Sequence, residues 1–543
     1  MTNEQKHLLM LFKEINEICQ RHDIVYYMAG GTLIGAVRHK GFIPWDDDMD
    51  LLMTRDNWHK FIEVTKTDIP ENRVLDCQEM NRDYPNMFGR YADTTSTAIH
   101  KNQVLGDGIA GYVIDIFVLD PISDSEIDQF KYTSDIMLYS DLINPSLNYS
   151  YRWNLNGDRF NEYYSKMKRH GKEAVLSQLE KEMFSYKEED CSKYVMRWGG
   201  VPFIFEKDMY GFSRWGVFEG IPCRIPDRTA DYLTLHYGDD WMYIPPHEEH
   251  ESHEAIFSFT TDYKTIQDDY MRYIDVPKTR KALIKRKKYF FKHMADNLAL
   301  KDSMIQAQVK AKEMEIEQDI KDFEGDLDEM LDQSRYDELS DFFEEYYTSQ
   351  GSRDNIGRRD YSGIYRFNNP GLIDINDDVM YVAVMTLIHT NRIAKASRFI
   401  EVRERIKSNM NEKLKFAKAL IGEIREAISD YDLGHKDEAY KKVETLSQKY
   451  PNNVSILLFR ARLLLEYEEY AKAEEVIERG IARVPENGDF YKYLGDLWYR
   501  QNKDKAYCLY EKAFNLTTNG YVLMEIEEKI KLSKEELGGI KNV

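Results

Sequence analysis

A chain of 543 residues, 42% hydrophobic and 31% charged, has room for two to four domains with cores of their own, and its composition is not that of a disordered protein. A formal charge of −21 argues against a general nucleic-acid binder, whose affinity rests on a basic surface. The five cysteines, Cys19, Cys77, Cys191, Cys223 and Cys508, are scattered without a CxxC pair and read as reduced thiols of a cytoplasmic protein.

The first stretch, MTNEQKHLLMLFKEINEICQ, has the spacing of an amphipathic helix and carries both signs of charge. It lacks the basic start and unbroken apolar core of a signal peptide. No later run approaches the roughly 18 apolar residues of a spanning helix.

Residues 24–28, IVYYM, read as a strand, and AGGTLIGAVRHKG supplies a Gly-Gly-Thr turn and a short helix ending near Gly41. FIPW is a loop, and DMDLLM is a second strand. Asp46, Asp47, Asp48 and Asp50 crowd the junction between them. Side-chain alternation places Asp48 and Asp50 on one face, about 7 Å apart at Cα, with Met49 and Leu51 turned into the core. Two such carboxylates repel unless a cation lies between them, and Mg²⁺ or Mn²⁺ suits hard oxygen ligands. The bland alternative is a helix cap or solvated turn. Asp46 and Asp47 fall in the loop, either supporting the ion site or simply solvated.

GYVIDIFVLD is a strongly apolar strand in which Asp115 stands between Ile114 and Ile116. A lone charge there is costly unless paired or metal-bound. Gly30, Gly31 and Thr32 allow close backbone approach to a phosphate and offer N–H groups at a helix start. Arg38, His39 and Lys40 follow as cations for phosphate charge, or as surface residues favoured by the helix dipole. Trp45, Trp215 and Trp241 suit either a cage for a quaternary ammonium or core packing.

Further on, KTRKALIKRKKYFFKHM (278–294) is a basic run in an acidic chain. Its mixture of cations and aromatics suits an anionic membrane surface, or a linker helix packing its aromatics on the preceding domain. Beyond it the sequence repeats: Ala439, Ala473 and Ala506 lie 34 and 33 residues apart, and Pro451 and Pro485 lie 34 apart, as do Ala461 and Gly495. With AEEVIERGIARVPENGDFYKYLGDLW, this resembles the tetratricopeptide repeat, in which small residues sit where paired helices touch. Stacked pairs bury faces that no single pair can cover and leave a concave groove, so this region is expected to bind a protein partner.

The order of the N-terminal elements resembles the nucleotidyltransferase superfamily. More narrowly, GGTLIGAVRHKGFIPWDDDMDLLM is similar to the signature of the LicD family, which includes phosphorylcholine transferases and fukutin-related proteins. The likeness extends to IDIFVLD and to YLTLHYGDDWMYIPPHEEHESH (232–253), and takes in most of residues 10–255. Two departures are Glu254, where a second His is frequent, and Val118, where a proline is common.

The resemblance implies an α/β (α+β) nucleotidyltransferase-like catalytic domain, which composition bounds at residues 1–275, and the helical pattern of the remaining sequence makes an all-α region after it. That region divides into a basic then acidic helical linker (276–335), degenerate repeats (336–415) and tetratricopeptide-like repeats (416–543). It further implies metal-dependent transfer of phosphocholine from CDP-choline to a hydroxyl of a glycan precursor such as a teichoic acid, lipopolysaccharide or capsule repeat, with release of CMP. CDP-ribitol, CDP-glycerol and CDP-ethanolamine are alternative donors, and an inactive nucleotide- or glycan-binding scaffold is the rival class. On this reading Asp48, Asp50 and Asp115 ligate Mg²⁺ or Mn²⁺ and serve catalysis, with His253 as ligand, base or substrate contact. Gly30, Gly31, Thr32, Arg38, His39 and Asp46 face the nucleotide. The acceptor is expected to be lipid-linked, placing the protein in the cytoplasm or peripherally at the inner face of the membrane.

Overall fold

The structure, a computed structural model, describes residues 1–100, 108–144, 157–198, 201–211, 213–238, 241–244, 254–271, 275–292, 318, 320, 326–343, 376–406 and 409–540. These form two compact units. One comprises Met1–Leu233 and His250–Ser303; the other comprises Thr234–Glu249 and Met304–Val543.

In the first unit, helix α1 (Asn3–Arg21) opens with a capping box in which Thr2 and Gln5 satisfy each other's backbone N–H groups. Its apolar stripe of Leu8, Leu11, Phe12, Ile15 and Ile18 is buried. The Gln5 side-chain amide donates to the carbonyls of Ile43 (3.1 Å), Pro44 (3.3 Å) and Asp46 (3.0 Å). The first helix thereby fixes the backbone of the acidic loop.

A seven-stranded mixed sheet follows the order β1 (Tyr26–Met28), β2 (Asp50–Thr54), β6 (Val113–Ile122), β4 (Gly89–Asp93), β3 (Arg73–Asp76). β7 (Lys193–Trp198) pairs with the second half of β6, and β8 (Val201–Glu206) pairs with β7. Among the described residues of this sheet, β2 and β6 are the pair that runs parallel. β6 is central, and its near-continuous apolar sequence reflects burial on both sides. β5 (Thr97–His100) pairs with β11 (Glu254–Ser258), and β9 (Arg214–Phe218) with β10 (Ile221–Ile225). The strand anticipated from Asp48 begins at Asp50, where the ladder to β6 starts, so Asp48 sits in the extended approach to it.

The glycine turn leads into α2 (Gly30–Ile34) and a π-helical turn, Gly35–His39, closed by Lys40 in the left-handed region (φ 56°). The Gly41 N–H returns to the Gly35 carbonyl at 3.3 Å, and a Cβ at Gly35 would overlap the Gly41 carbonyl oxygen. Gly35→Ala is expected to lower unfolding free energy by about 1–3 kcal/mol, the range for overpacking, because the obstacle is backbone and cannot rotate aside. Urea unfolding of the variant checks this. The β9–β10 turn, with Glu219 and Gly220 at φ 48° and 77°, has the positive angles of a tight hairpin turn. Its Glu219 N–H donates to the Lys40 carbonyl (2.8 Å), while the Glu219 carboxylate accepts the Phe42 N–H (3.1 Å). The hairpin tip thus braces the loop that follows the glycine turn.

The basic run forms a helix, Val276–Lys292, within this first unit. It packs on the helix Gly157–His170, with the Lys288 ammonium 4.6 Å from the Tyr164 ring centre. No helix among the described residues is long and apolar enough to cross a membrane.

The second unit is built of helical pairs: Asp377–His389 with Ile393–Ile406, Glu412–Asp432 with Lys436–Lys449, Val454–Glu466 with Tyr470–Arg483, and Gly488–Tyr499 with Lys503–Leu516. The helix Gly520–Ile540 follows. Asn376, Asn411, Asn453 and Asn487 cap the first helix of each pair through their side-chain oxygens. Ala439, Ala473 and Ala506 are fully buried, and a Cβ at Gly480 would strike the Phe490 ring. The repeating small residues are therefore the points of closest helix approach. One hydrophobic core runs from Leu327 to Leu463, so the loss of repeat regularity before residue 416 is not a break in packing.

Residues 241–244, from the motif-bearing stretch, also belong to this unit. Ile244 N–H donates to the Thr518 carbonyl (2.9 Å) and Gly520 N–H to the Met242 carbonyl (2.7 Å). The Tyr243 ring lies 3.6 Å from the Arg392 guanidinium.

Candidate active site

The site grows from strand register. Asp50 on β2 is directly opposite Asp115 on β6, Asp115 is opposite Arg90 on β4, and Arg90 is opposite Asp76 on β3. Opposed residues share a face of the sheet, so the four side chains form a polar row across four strands. Arg90 donates through Nε to Asp115 Oδ1 at 2.9 Å and through Nη2 to Oδ2 at 3.5 Å. Burial pushes the Asp50 carboxyl well above the usual carboxylate range, and the charges of Asp48, Asp115 and Asp46 push it further, against the opposing field of Arg90. Four acids are thus close enough to feel one another.

The glycine turn lies at the edge of this group. Gly30 has φ 52°, a conformation glycine adopts without strain, and its N–H points to the Tyr232 hydroxyl at 3.4 Å. A Cβ at Gly31 would come within 3.1 Å of Asp46 Oδ2, so the loop carboxylate rests against the turn. Thr32 is only 2% exposed, and its hydroxyl accepts the Asp50 N–H at 2.9 Å. Its side chain thereby positions Asp50.

Arg38, anticipated as a phosphate contact or surface cation, is 3% exposed; its Nε donates to His39 Nδ1 at 3.4 Å. The His39 imidazole is pushed down to about 3, first by burial and then by the Arg38 charge. Burial beside Arg38 thus favours the neutral imidazole in the free protein. A folded-state value below the unfolded one means the unfolded chain binds the extra proton first, so stability falls as pH drops below about 6.5. The melting temperature of the wild type is expected to fall more steeply between pH 7.5 and 5 than that of His39→Gln, a difference that thermal melts read directly.

His253 lies outside the described residues. Trp215 carries the Arg224 guanidinium 4.4 Å from its ring, and Trp241 packs near Tyr521 at 6.5 Å within the helical unit. Each of these two rings has a neighbour of its own. Arg90, Asp76 and Tyr232 were not singled out from the sequence. The available signal was an arginine inside FGRYAD, a short strand-like run, but nothing local says which strand lies beside it.

Asp120, five residues along β6, belongs to a separate network. Arg55 grips it through Nε (2.7 Å) and Nη2 (2.9 Å), and Arg197 through Nη2 (2.9 Å). This acid is fully paired and structural. Asp115, by contrast, has one guanidinium and several acidic neighbours.

The donor chemistry of Asp46, Asp48, Asp50 and Asp115 fits a hard divalent ion, whose charge would relieve their mutual repulsion. Among the described residues, however, no three His, Cys, Asp or Glu side chains converge as a closed ion cage, and Asp115 is held by Arg90. The residues that would hold such an ion are Asp48, Asp50 and Asp115.

Residues 23–146 match the family model described as LicD/FKTN/FKRP, nucleotidyltransferase domain. The chain is 23% identical over 273 residues to the lipopolysaccharide cholinephosphotransferase LicD of Haemophilus influenzae, covering 47% of this chain and 95% of that protein. It is 45% identical over 53 residues to the uncharacterized protein RP689 of Rickettsia prowazekii, covering 10% of this chain and 20% of that one. Among solved structures, a tetratricopeptide repeat protein from Parabacteroides merdae is 15% identical, covering 50% of this chain and 98% of that one, at a TM-score of 0.21. The P58(IPK) TPR domain is 10% identical, covering 49% and 76%, at 0.22. At such scores these likenesses carry no weight beside the helical pairs themselves. The N-terminal part of the chain thus carries a LicD-type domain, homologous to the Haemophilus cholinephosphotransferase, and a region of helical pairs follows it.

Proposed function

We propose that the LicD-type domain transfers phosphocholine, or a related phospho-substituent, from a CDP-linked donor to a glycan hydroxyl, releasing CMP. The observation that supports this best is the register of Asp50 and Asp115, side by side next to the Gly30–Thr32 turn with Asp46 against it. Mg²⁺ or Mn²⁺, when bound, would supply charge neutralisation on the diphosphate. Asp48, Asp50 and Asp115 would hold the ion, and Thr32 keeps Asp50 in place through its backbone. The glycine turn seats phosphate oxygens, and one of the carboxylates, or His253, accepts the acceptor's hydroxyl proton. The Haemophilus relative is named for lipopolysaccharide, which favours a lipid-linked glycan acceptor. The basic helix Val276–Lys292 would then lie towards an anionic membrane surface at its cytoplasmic face, and the helical pairs would dock a protein partner.

The test is incubation of the purified protein with Mg²⁺ or Mn²⁺ and a panel of CDP-choline, CDP-ethanolamine, CDP-glycerol and CDP-ribitol, with CMP measured. CMP release from CDP-choline is expected above the other three; release from none of them sinks the reading. A second reading, a domain that binds nucleotide or glycan without turnover, draws support from the Arg90–Asp115 ion pair. Absence of any Mn²⁺ binding would favour it.

A further inference from the structure

Resting on the transferase reading above, we propose that Arg90 is a two-position residue: it neutralises Asp115 while no divalent ion is bound, and turns its guanidinium fork to the donor's phosphates when one is. The row places Arg90 between two acids, Asp115 on β6 and Asp76 on β3. Its hold on Asp115 is uneven, 2.9 Å at Nε and 3.5 Å at Nη2, so one arm of the fork is already loosely engaged. Asp76 is itself occupied by the Asn81 amide at 3.2 Å, and the Phe88 ring stands 5.5 Å from the guanidinium. That leaves an aromatic surface beside which the planar group can shift while retaining a cation–π contact.

Both partners reach solvent: the side chains of Arg90 and Asp115 are 13% and 20% exposed. An incoming ion and a guanidinium on the same carboxylate repel each other. The ion therefore weakens the Arg90–Asp115 pair at the step that brings diphosphate oxygens to the site. A freed fork matches phosphate geometry bidentately, which a lysine does not. The arginine is then a competitor of the metal in the empty site and a substrate contact in the filled one.

Full-length wild type, Arg90→Met and Arg90→Lys are titrated with Mn²⁺ alone, followed by electron paramagnetic resonance of free ion. They are then titrated calorimetrically with CDP at saturating Mn²⁺. Arg90→Met is expected to bind Mn²⁺ about fivefold more tightly and CDP about tenfold more weakly. Arg90→Lys, which keeps the charge and loses the fork, should weaken CDP at least about threefold with its melting temperature unchanged. Should Arg90→Met fail to fold, the lysine variant's CDP affinity decides. Unchanged CDP affinity in the folded variants, or Mn²⁺ binding no tighter in Arg90→Met, overturns the proposal alone. A wild type that binds neither Mn²⁺ nor CDP overturns the transferase reading and this proposal with it.

Discussion

Asp50→Asn is expected to lower CMP release by about 10²- to 10³-fold or more, the scale for removing one preorganised charge-stabilising group, while raising the stability of the metal-free protein. Both effects have one cause. Asp50 is pressed by burial and by the charges of Asp48, Asp115 and Asp46. A neutral amide of the same shape removes that repulsion from the folded state and removes an ion ligand at the same time. Relieving a strained functional group typically gains about 0.5–2 kcal/mol at the expense of activity. Melting in chelator, compared with melting in Mn²⁺, separates the two. The variant should melt higher than wild type in chelator and gain less on metal addition. Full turnover by a folded Asp50→Asn protein would remove the basis for the metal reading, whatever the donor.

Ending the chain at residue 415 is expected to yield an aggregating fragment rather than a working N-terminal half. Met380, Val384, Leu387 and Ile388 are buried in one cluster with Leu414, Ala417, Leu420, Ile421 and Ile424. The cut falls inside the helix Glu412–Asp432 and strips that cover away. Each uncovered large aliphatic side chain costs about 1.5–3 kcal/mol of burial, and an open apolar face on a repeat stack favours association. The cut also removes Thr518 and Gly520, which hold the backbone of Ile244 and Met242. Size-exclusion chromatography should place most of the fragment in the void volume. A monomeric fragment melting at the full-length temperature would contradict this. A milder change, Tyr243→Ala, removes the ring stacked by Arg392 and leaves the hydrogen bonds of the bridge in place.

Much of this protein is legible in local sequence pattern. Strand alternation placed Met49 and Leu51 in the core, where both are buried. The Gly-Gly-Thr turn announced itself through residues that tolerate positive φ, and Gly30 uses that tolerance. The helical pairs followed from small residues and prolines at a fixed period, because close helix approach demands a small side chain wherever it recurs. Acid positions were equally readable: an aspartate flanked by β-branched residues is conspicuous whatever it pairs with.

The tertiary structure decided what those residues meet. Arg90 joins Asp115 only through the pairing of β4 with β6, strands some 25 residues apart in sequence. A one-residue slip in that register would have sent the arginine to the other face. Thr32 became a positioning residue, and Arg38 became buried, through contacts the turn's own sequence does not encode. The assignment of residues 241–244 to the helical unit depends on a bridge to Asn519, nearly three hundred positions away. Local propensity and periodicity act over a handful of bonds, whereas register and docking are chosen by the burial of the whole chain, and a linear reading sees only the first.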